Sequence, residues 1–375
     1  MTRSGLDVVI VGGGVIGCAL AAELAGRGQS VALVERDKPG AEASGAAAGM
    51  LPPQVEARVS GPFFDLALES RGLYPAWARR LFEETDIDVG FRRTGLLYCG
   101  FEETETESLF ASYAWQRSLG LAVEERHLSD LSSEIEGRLS SEVRRALFFP
   151  EEAVVDPRRL TRAVALSAEQ RGVRLQTGIA ALRFRIENGV CRGVDTESGP
   201  IEAHAVVDAA GAWAAFDSGL PLPVPVQPVR GQIVELAISG RPLSSIVRSA
   251  EAYVVPRPDG TVLLGSTEEL VGFRKEVTAE AVEHLIAAAV RMIPSLKSAR
   301  FLSAWAGLRP GTPDGLPVLG DSPVRGLYFA TGHFRNGILL APVTAKLVAD
   351  VLLGVPTRDL SPFSVARFSG ALRAV

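Results

Sequence analysis

The chain has 375 residues and a formal net charge of −5, with lysine and arginine scattered and no basic tract. That length can bury a large core, suggests two domains, and with the acidic balance argues against nucleic acid as a partner. Three widely spaced cysteines, Cys18, Cys99 and Cys191, form no C-x-x-C or zinc spacing, which points to reduced thiols, no metal site and a cytoplasmic protein.

The first predicted element is the most informative. Residues 7–35 read DVVIVGGGVIGCALAAELAGRGQSVALVE, an apolar strand, a glycine turn, a helix-period segment and a second apolar strand ending on an acid. This is the G-x-G-x-x-G dinucleotide fingerprint in its βαβ setting. Gly12 allows the tight turn, Gly14 lets a pyrophosphate approach the backbone, and Gly17 lets the helix pack on the strand. Phosphates would sit beside Val15 and Ile16, where free N–H groups and the helix dipole favour anions. Glu35 is placed to accept hydrogen bonds from a ribose. Cys18, just inside the helix, reads as a small core residue. The apolar start could be mistaken for a signal peptide, but strand, fingerprint, amphipathic helix and second strand in succession oppose that.

Further along, residues 36–40 are a loop by composition, and EASGAAAGM (42–50) has small residues that let a backbone pass close to something flat or bulky. Residues 62–85 space Phe63, Leu66, Leu73, Trp77 and Leu81 as a helix, and 91–100 is strand-like. Residues 156–172 begin with a capping Asp and a Pro and end at Gly172, a helix. VRLQTG and ALRFRIENGVCRGVDT follow as a strand and a hairpin, and HAVVDAAGAW (204–213) as a buried strand into a turn. Alternating strands dominate 224–267, a helix covers about 278–293, and GLYFATGH precedes a last long helix. That helix, in an apolar run from Gly337 to Val355, carries Lys346 and Asp350, so it reads as core and no membrane span is expected.

These residues resemble the D-amino acid oxidase family of flavoproteins, and most nearly the glycine oxidases of thiamine biosynthesis. The similarity covers nearly the whole chain. It rests on GGGVIG with Glu35, ASGAAAGM (43–50), FFDLALES followed by YP (63–75) and DPRRL (156–160). DAAGAWA (208–214), YVVPR (253–257), WAGLRPGTPDGLPVLG (305–320) and GHFRNGILLAPVTA (332–345) complete it, the last two being highly specific. The expected fold is α/β, a discontinuous Rossmann-like FAD-binding domain (1–60, 151–220 and 319–375) plus a β-rich substrate-binding domain (61–150 and 221–318).

The resemblance implies FAD, an amino-acid substrate and molecular oxygen. It also implies FAD contacts at Arg36, Ala43, Ser44, Ala48, Gly49, Met50, Ile179 and Gly211, and at Gly337, Ile338, Leu339 and Leu340, which open a helix toward the pyrimidine edge. A helix N-terminus there would stabilise charge gained on reduction. Arg309 matches the family's carboxylate clamp, where a guanidinium fork suits a carboxylate better than an ammonium. Tyr253 matches a tyrosine supporting the same carboxylate, and Arg335 a second basic residue near the substrate. No catalytic acid or base is required, because the α-hydrogen leaves as hydride and rate comes from orientation. His333 therefore reads as structural, and His127, His204 and His284 form no cluster. Related sarcosine oxidases attach flavin through a late cysteine; with none beyond Cys191, FAD is expected to be noncovalent. Glu251 and Glu268 flank the expected pocket strands and are candidates to tune the substrate.

The implied reaction is oxidative deamination of glycine to glyoxylate, ammonia and hydrogen peroxide, feeding thiazole synthesis. The alternatives are oxidation or dehydrogenation of a D-amino acid, sarcosine or a proline-like imino acid, and a flavin-binding subunit without turnover. A homo-oligomer, of the tetrameric kind common in the family, is a further implication.

Overall fold

A computed structural model describes residues 5–57, 59–126, 139–214, 220, 224–239 and 243–369. Among them, β1 (Leu6–Val11), α1 (Val15–Gly26) and β2 (Val31–Glu35) form the opening βαβ unit. Then come α2 (Ala43–Ala46), β3 (Met50–Leu51), α3 (Pro53–Glu56) and the long α4 (Pro62–Thr85). The next stretch holds β4 (Arg92–Arg93), β5 (Leu96–Gly100), α5 (Glu103–Ser118), β6 (Glu124–Arg126), β7 (Arg145–Phe149) and β8 (Ala153–Val154). After α6 (Pro157–Gln170) come β9 (Arg174–Thr177), β10 (Ala181–Glu187), β11 (Val190–Thr196) and β12 (Gly199–Asp208). The rest comprises β13 (Gln227–Ala237), β14 (Ile246–Arg248), β15 (Tyr253–Pro256), β16 (Thr261–Gly265) and α7 (Ala279–Met292). It ends with β17 (Arg300–Gly311), β18 (Val318–Asp321), β19 (Leu327–Thr331) and α8 (Gly337–Leu352).

Two large sheets organise the molecule. The first is parallel through β9, β2, β1, β12 and β19, with β18 antiparallel on its edge and the β10–β11 hairpin on the first half of β12. The second runs β17-β13-β16-β15-β14-β5-β7-β6 and draws strands from both 96–149 and 227–311. A small sheet of β3, β8 and β4 lies apart from both. This is the expected α/β architecture: β1 and β2 are apolar on both faces because α1, α6 and α8 cover one face and the β10–β11 hairpin, with residues 224–226 and 365–368, packs against the other.

The helices differ by what they cover. α1 is buried nearly all round against β1, α6 and α8, so its sequence is uniformly small and apolar. α6 is amphipathic and starts where Asp156 accepts hydrogen bonds from the N–H groups of Arg158 and Arg159. The buried face of α4 centres on Phe64, Tyr74 and Trp77, whereas the spacing pointed to Phe63 and Leu73, which are only half-buried. Ser70 Oγ donates to the Leu339 carbonyl (2.6 Å) and the Tyr74 hydroxyl to that of Ile338. These bonds tie α4 to the first turn of α8. Through Leu66, Ala67, Tyr74 and Leu81, α4 packs into the core cluster that also holds α1, α6 and α8. α7 covers the second sheet through Leu285, Ala289 and Met292.

Candidate active site

A cavity lies between the two sheets and meets the carboxyl ends of β1, β2, β12 and β19, the place where doubly wound sheets hold nucleotides. Gly12, Gly14, Val15, Ile16, Glu35 and Arg36 line its first wall. Gly12 has φ +108°, and a Cβ there would lie 2.4 Å from the Ala209 carbonyl oxygen. A Cβ at Gly17 would lie 2.0 Å from the Gly12 carbonyl oxygen, so Gly17 permits helix–strand contact and does not itself line the cavity. Glu35 accepts the Gly13 N–H on Oε2 (2.6 Å) and the Asp37 N–H on Oε1 (2.9 Å). Each oxygen keeps a lone pair for a ligand hydroxyl.

The helix ends are informative. α6 and α7 are capped by Asp156 and Thr278 side chains. α1 and α8, whose first residues line the cavity, have no cap from their own N-cap residues and no acid in the first turn, and at α1 the Val15 N–H donates to the neutral Ser44 Oγ (3.0 Å). The two helix N-termini at the cavity are thus left electropositive. An open glycine cradle, a terminal carboxylate and two helix N-termini without an acid fit a flavin dinucleotide: α1 for the pyrophosphate, Glu35 for a ribose, α8 for the ring's electron-rich edge. Ala43, Ser44, Ala48, Gly49, Met50, Gly211, Gly337 and Ile338 also line the cavity. Three expected contacts do not. Ile179 turns into the core below the sheet while its N–H donates to the Glu35 carbonyl (3.1 Å). Leu339 and Leu340 are buried among α1 and α4, since their side chains lie on the inner face of α8.

The second wall carries Tyr253, Ser266 and Arg309. Arg309 donates from Nη1 to the Thr267 carbonyl (3.0 Å) and from Nη2 to Ser266 Oγ (2.6 Å). No carboxylate of the described residues pairs with it, and burial pulls its guanidinium below the usual value. A half-buried cation held only by neutral acceptors suits an incoming carboxylate. Two glycines on neighbouring strands make its room. A Cβ at Gly231 would lie 2.2 Å from Arg309 Nη2, and one at Gly265 would lie 2.4 Å from the Tyr253 hydroxyl. The ring and the fork therefore stand side by side because β13 and β16 are bare opposite them. On β17, Gly307 faces Ala46, and Trp305 donates from Nε1 to the Ala46 carbonyl (3.0 Å). This contact explains the small residues of 42–50.

Arg335 also lines the cavity, but it is answered by protein acids. Glu56 Oε1 receives Arg335 Nη2 at 2.9 Å and Arg248 Nη1 at 2.8 Å. Glu268 stands 3.7 Å from Arg335 Nη1. Burial raises the Glu56 pKa, but the Arg335 and Arg248 charges outweigh it and leave it below the usual carboxylate range. α3, which carries Glu56, is held from beneath by buried Glu152, which accepts the Gln54 N–H (2.9 Å) and faces Arg71 (3.3 Å). Glu251 points elsewhere, 3.5 Å from Arg291, so of the two acids flanking the pocket strands only Glu268 reaches the site.

His333 is buried, with Nε2 at 3.0 Å from Thr344 Oγ1. Burial pushes its imidazole down to about 3, so it is neutral and structural. His127 lies outside the described residues. Glu56, Ser266 and Trp213 line the cavity and were not singled out from sequence. Trp213 was legible only as the end of DAAGAW; Glu56 gave no signal, since its partners are distant in the chain. Cys18, Cys99 and Cys191 are buried, and no group that could hold a metal occurs among the described residues. No helix among them is long and apolar enough to cross a membrane.

Comparison with known proteins agrees with this geometry. A family model described as FAD dependent oxidoreductase (DAO) matches residues 7–351. A glycine oxidase of Geobacillus kaustophilus is 39% identical over 97% of both chains. The Bifunctional protein ThiO/ThiG of Trichormus variabilis is 37% identical over 98% of this chain, which spans 55% of that longer protein. The crystal structure of glycine oxidase from Geobacillus kaustophilus superposes with a TM-score of 0.93 at 38% identity, covering 96% of this chain and 98% of that one.

Proposed function

The chain belongs to the DAO family of FAD-dependent oxidoreductases, and from that premise we propose that it oxidises glycine, with molecular oxygen as the final acceptor. It is an FAD-dependent amino-acid oxidase. The observation that carries the substrate reading is Arg309, a half-buried guanidinium paired with no carboxylate of the described residues, standing beside the Tyr253 ring. Held at the first turn of α1 and by Glu35, FAD would supply a hydride acceptor for the substrate's α-hydrogen; with oxygen as final electron acceptor and water for hydrolysis, the products would be glyoxylate, ammonia and hydrogen peroxide.

The protein's own part is positional. Arg309 and the Tyr253 hydroxyl fix the substrate carboxylate, and the neighbouring wall of Glu56, Arg248, Arg335 and Glu268 is charge-balanced. That balance leaves one unanswered cation for a single carboxylate, which suits a small amino acid with no second acid. The neutral amine needs no base, in keeping with a His333 that stays unprotonated. The relatives fused to a second protein support a place in thiamine thiazole synthesis. We further assign noncovalent FAD, a cytoplasmic location, a homo-oligomer, and a division at 1–60, 151–220 and 319–375 against 61–150 and 221–318, with 62–85 moved to the nucleotide side.

The test is a panel of amino acids with peroxide detection. Peroxide from glycine, with stoichiometric glyoxylate, is expected. Activity confined to a bulkier D-amino acid, sarcosine or proline overturns the glycine assignment, and substrate-driven reduction of an added quinone without peroxide overturns the oxygen assignment.

A further inference from the structure

We propose that residues 270–275, a loop of the second sheet, form a clasp that retains the nucleotide by holding Arg36 in place across the cavity mouth. This rests on the noncovalent FAD reading above.

Arg36 follows Glu35 and lines the nucleotide end of the cavity. Two contacts hold its guanidinium. Its Cζ lies 3.7 Å from the centroid of the Trp213 ring, and its Nη2 lies 2.8 Å from Glu42 Oε1. Each of those partners is tied in turn to the same loop. The Trp213 ring meets the Phe273 ring with centroids 5.2 Å apart, and Glu42 Oε2 pairs with Lys275 Nζ at 2.9 Å. Two independent routes therefore run from one loop to one cavity arginine.

The loop is built to span. Arg230 on β13, buried, pins both ends: its Nε donates to Glu269 Oε2 (3.2 Å) and its Nη1 to the Glu276 carbonyl (3.1 Å). Between those pins Leu270 and Phe273 are exposed at 70% and 53%, so the segment is not part of a core. Its inward contacts are the pairs with Trp213 and Glu42, both of which belong to the cavity wall of the first sheet. A loop that adds no core yet joins the two walls at the nucleotide end acts on how long the nucleotide stays. Phe273 and Lys275 do not line the cavity, so they are positioning residues acting through Trp213, Glu42 and Arg36.

The experiment dilutes the holoenzyme and follows FAD release by recovery of flavin fluorescence, with no substrate present. Phe273→Ala combined with Lys275→Ala should release FAD about tenfold faster, the loss of one exposed aromatic–cation assembly and one surface ion pair. Turnover at saturating FAD and the melting temperature of the apoprotein should stay at wild-type values. Phe273→Tyr with Lys275→Arg should restore slow release. Unchanged release in the double alanine variant overturns the clasp. So does faster release that comes with a matching fall in apoprotein melting temperature and no rescue, which would make the loop merely structural. Flavin left in the acid-precipitated pellet of the wild type overturns the clasp together with the noncovalent reading, whereas released flavin with unchanged rates overturns the clasp alone.

Discussion

The two walls of the cavity are assembled in opposite ways. The fingerprint part of the nucleotide wall comes from one short stretch: Gly12, Gly14, Ile16 and Glu35 lie within a single βαβ unit, and hydrogen bonds between neighbours in that unit set its geometry. The substrate wall collects Glu56, Tyr253, Arg309 and Arg335 from α3, β15, β17 and the turn before α8. A local wall can be formed before the chain has folded around it. A dispersed wall exists only once the second sheet is complete, so its shape depends on strand register. Within that wall the two arginines also differ. Arg309 has only neutral acceptors, while Arg335 is already paired with Glu56 and Glu268.

The largest break in this comparison should come from Arg309→Ala. Losing a fork with two charge-assisted bonds removes about 3–4 kcal/mol, roughly a hundred- to a thousandfold rise in KM for the amino acid. The bonded contact exists in ground and transition states alike, so kcat should fall much less. Arg309→Lys should recover part, and bound FAD should be unchanged in both. Arg335→Ala, whose charge is answered by Glu56, should raise KM far less. An unchanged KM in Arg309→Ala, measured by steady-state oxidation of glycine, would move the clamp to Arg335.

The matching break on the nucleotide wall is Glu35→Ala. Carboxylate contacts to ribose hydroxyls contribute about 1.5–3 kcal/mol, so FAD affinity should drop roughly ten- to a hundredfold. The Gly13 N–H loses its acceptor as well. Titration of apoprotein with FAD checks this; wild-type affinity would show that Glu35 faces away from the ribose. KM for substrate at saturating FAD should not move, because Glu35 bonds to Gly13 and Asp37 and not to Arg309 or Tyr253.

The smallest effect on turnover belongs to His333, which sits at the start of α8 between the walls. His333→Asn should keep kcat within about twofold, since no proton passes through a buried neutral ring. Its signature is in stability. Burial lowers the folded pKa from 6.5 to about 3, so the unfolded chain binds the extra proton between those values. The contribution is therefore complete above pH 6.5 and is lost as pH falls toward 3. Urea unfolding at pH 7 and pH 4.5 should show the wild type losing more stability than the variant on acidification. Equal losses would mean that the ring is solvated in the folded protein.

Much of the site was legible before any coordinates. GGGVIG with Glu35 names its own geometry, because glycine backbone freedom, helix start and terminal acid lie within one unit. Arg309, Tyr253 and Arg335 were legible through motif resemblance, not through spacing. The side-chain directions of Leu339 and Leu340 were not legible, because an opening helix turn offers backbone to one side and side chains to the other. The direction of Glu251, toward Arg291, was not legible because it lies between β14 and β15, where alternation no longer fixes direction.

What the sequence determined by itself is the βαβ unit, the capped helix α6, the strand-rich stretch of 224–267 and the absence of a late cysteine, all local or compositional facts. What only the tertiary structure decided is which charges meet. Glu56 finds Arg248 and Arg335 across 192 and 279 residues of chain. Gly231 and Gly265 become meaningful only opposite Arg309 and Tyr253. Electrostatic pairing and steric clearance depend on distance in space, and no periodicity along a chain encodes that distance once the partners lie on different strands of a sheet.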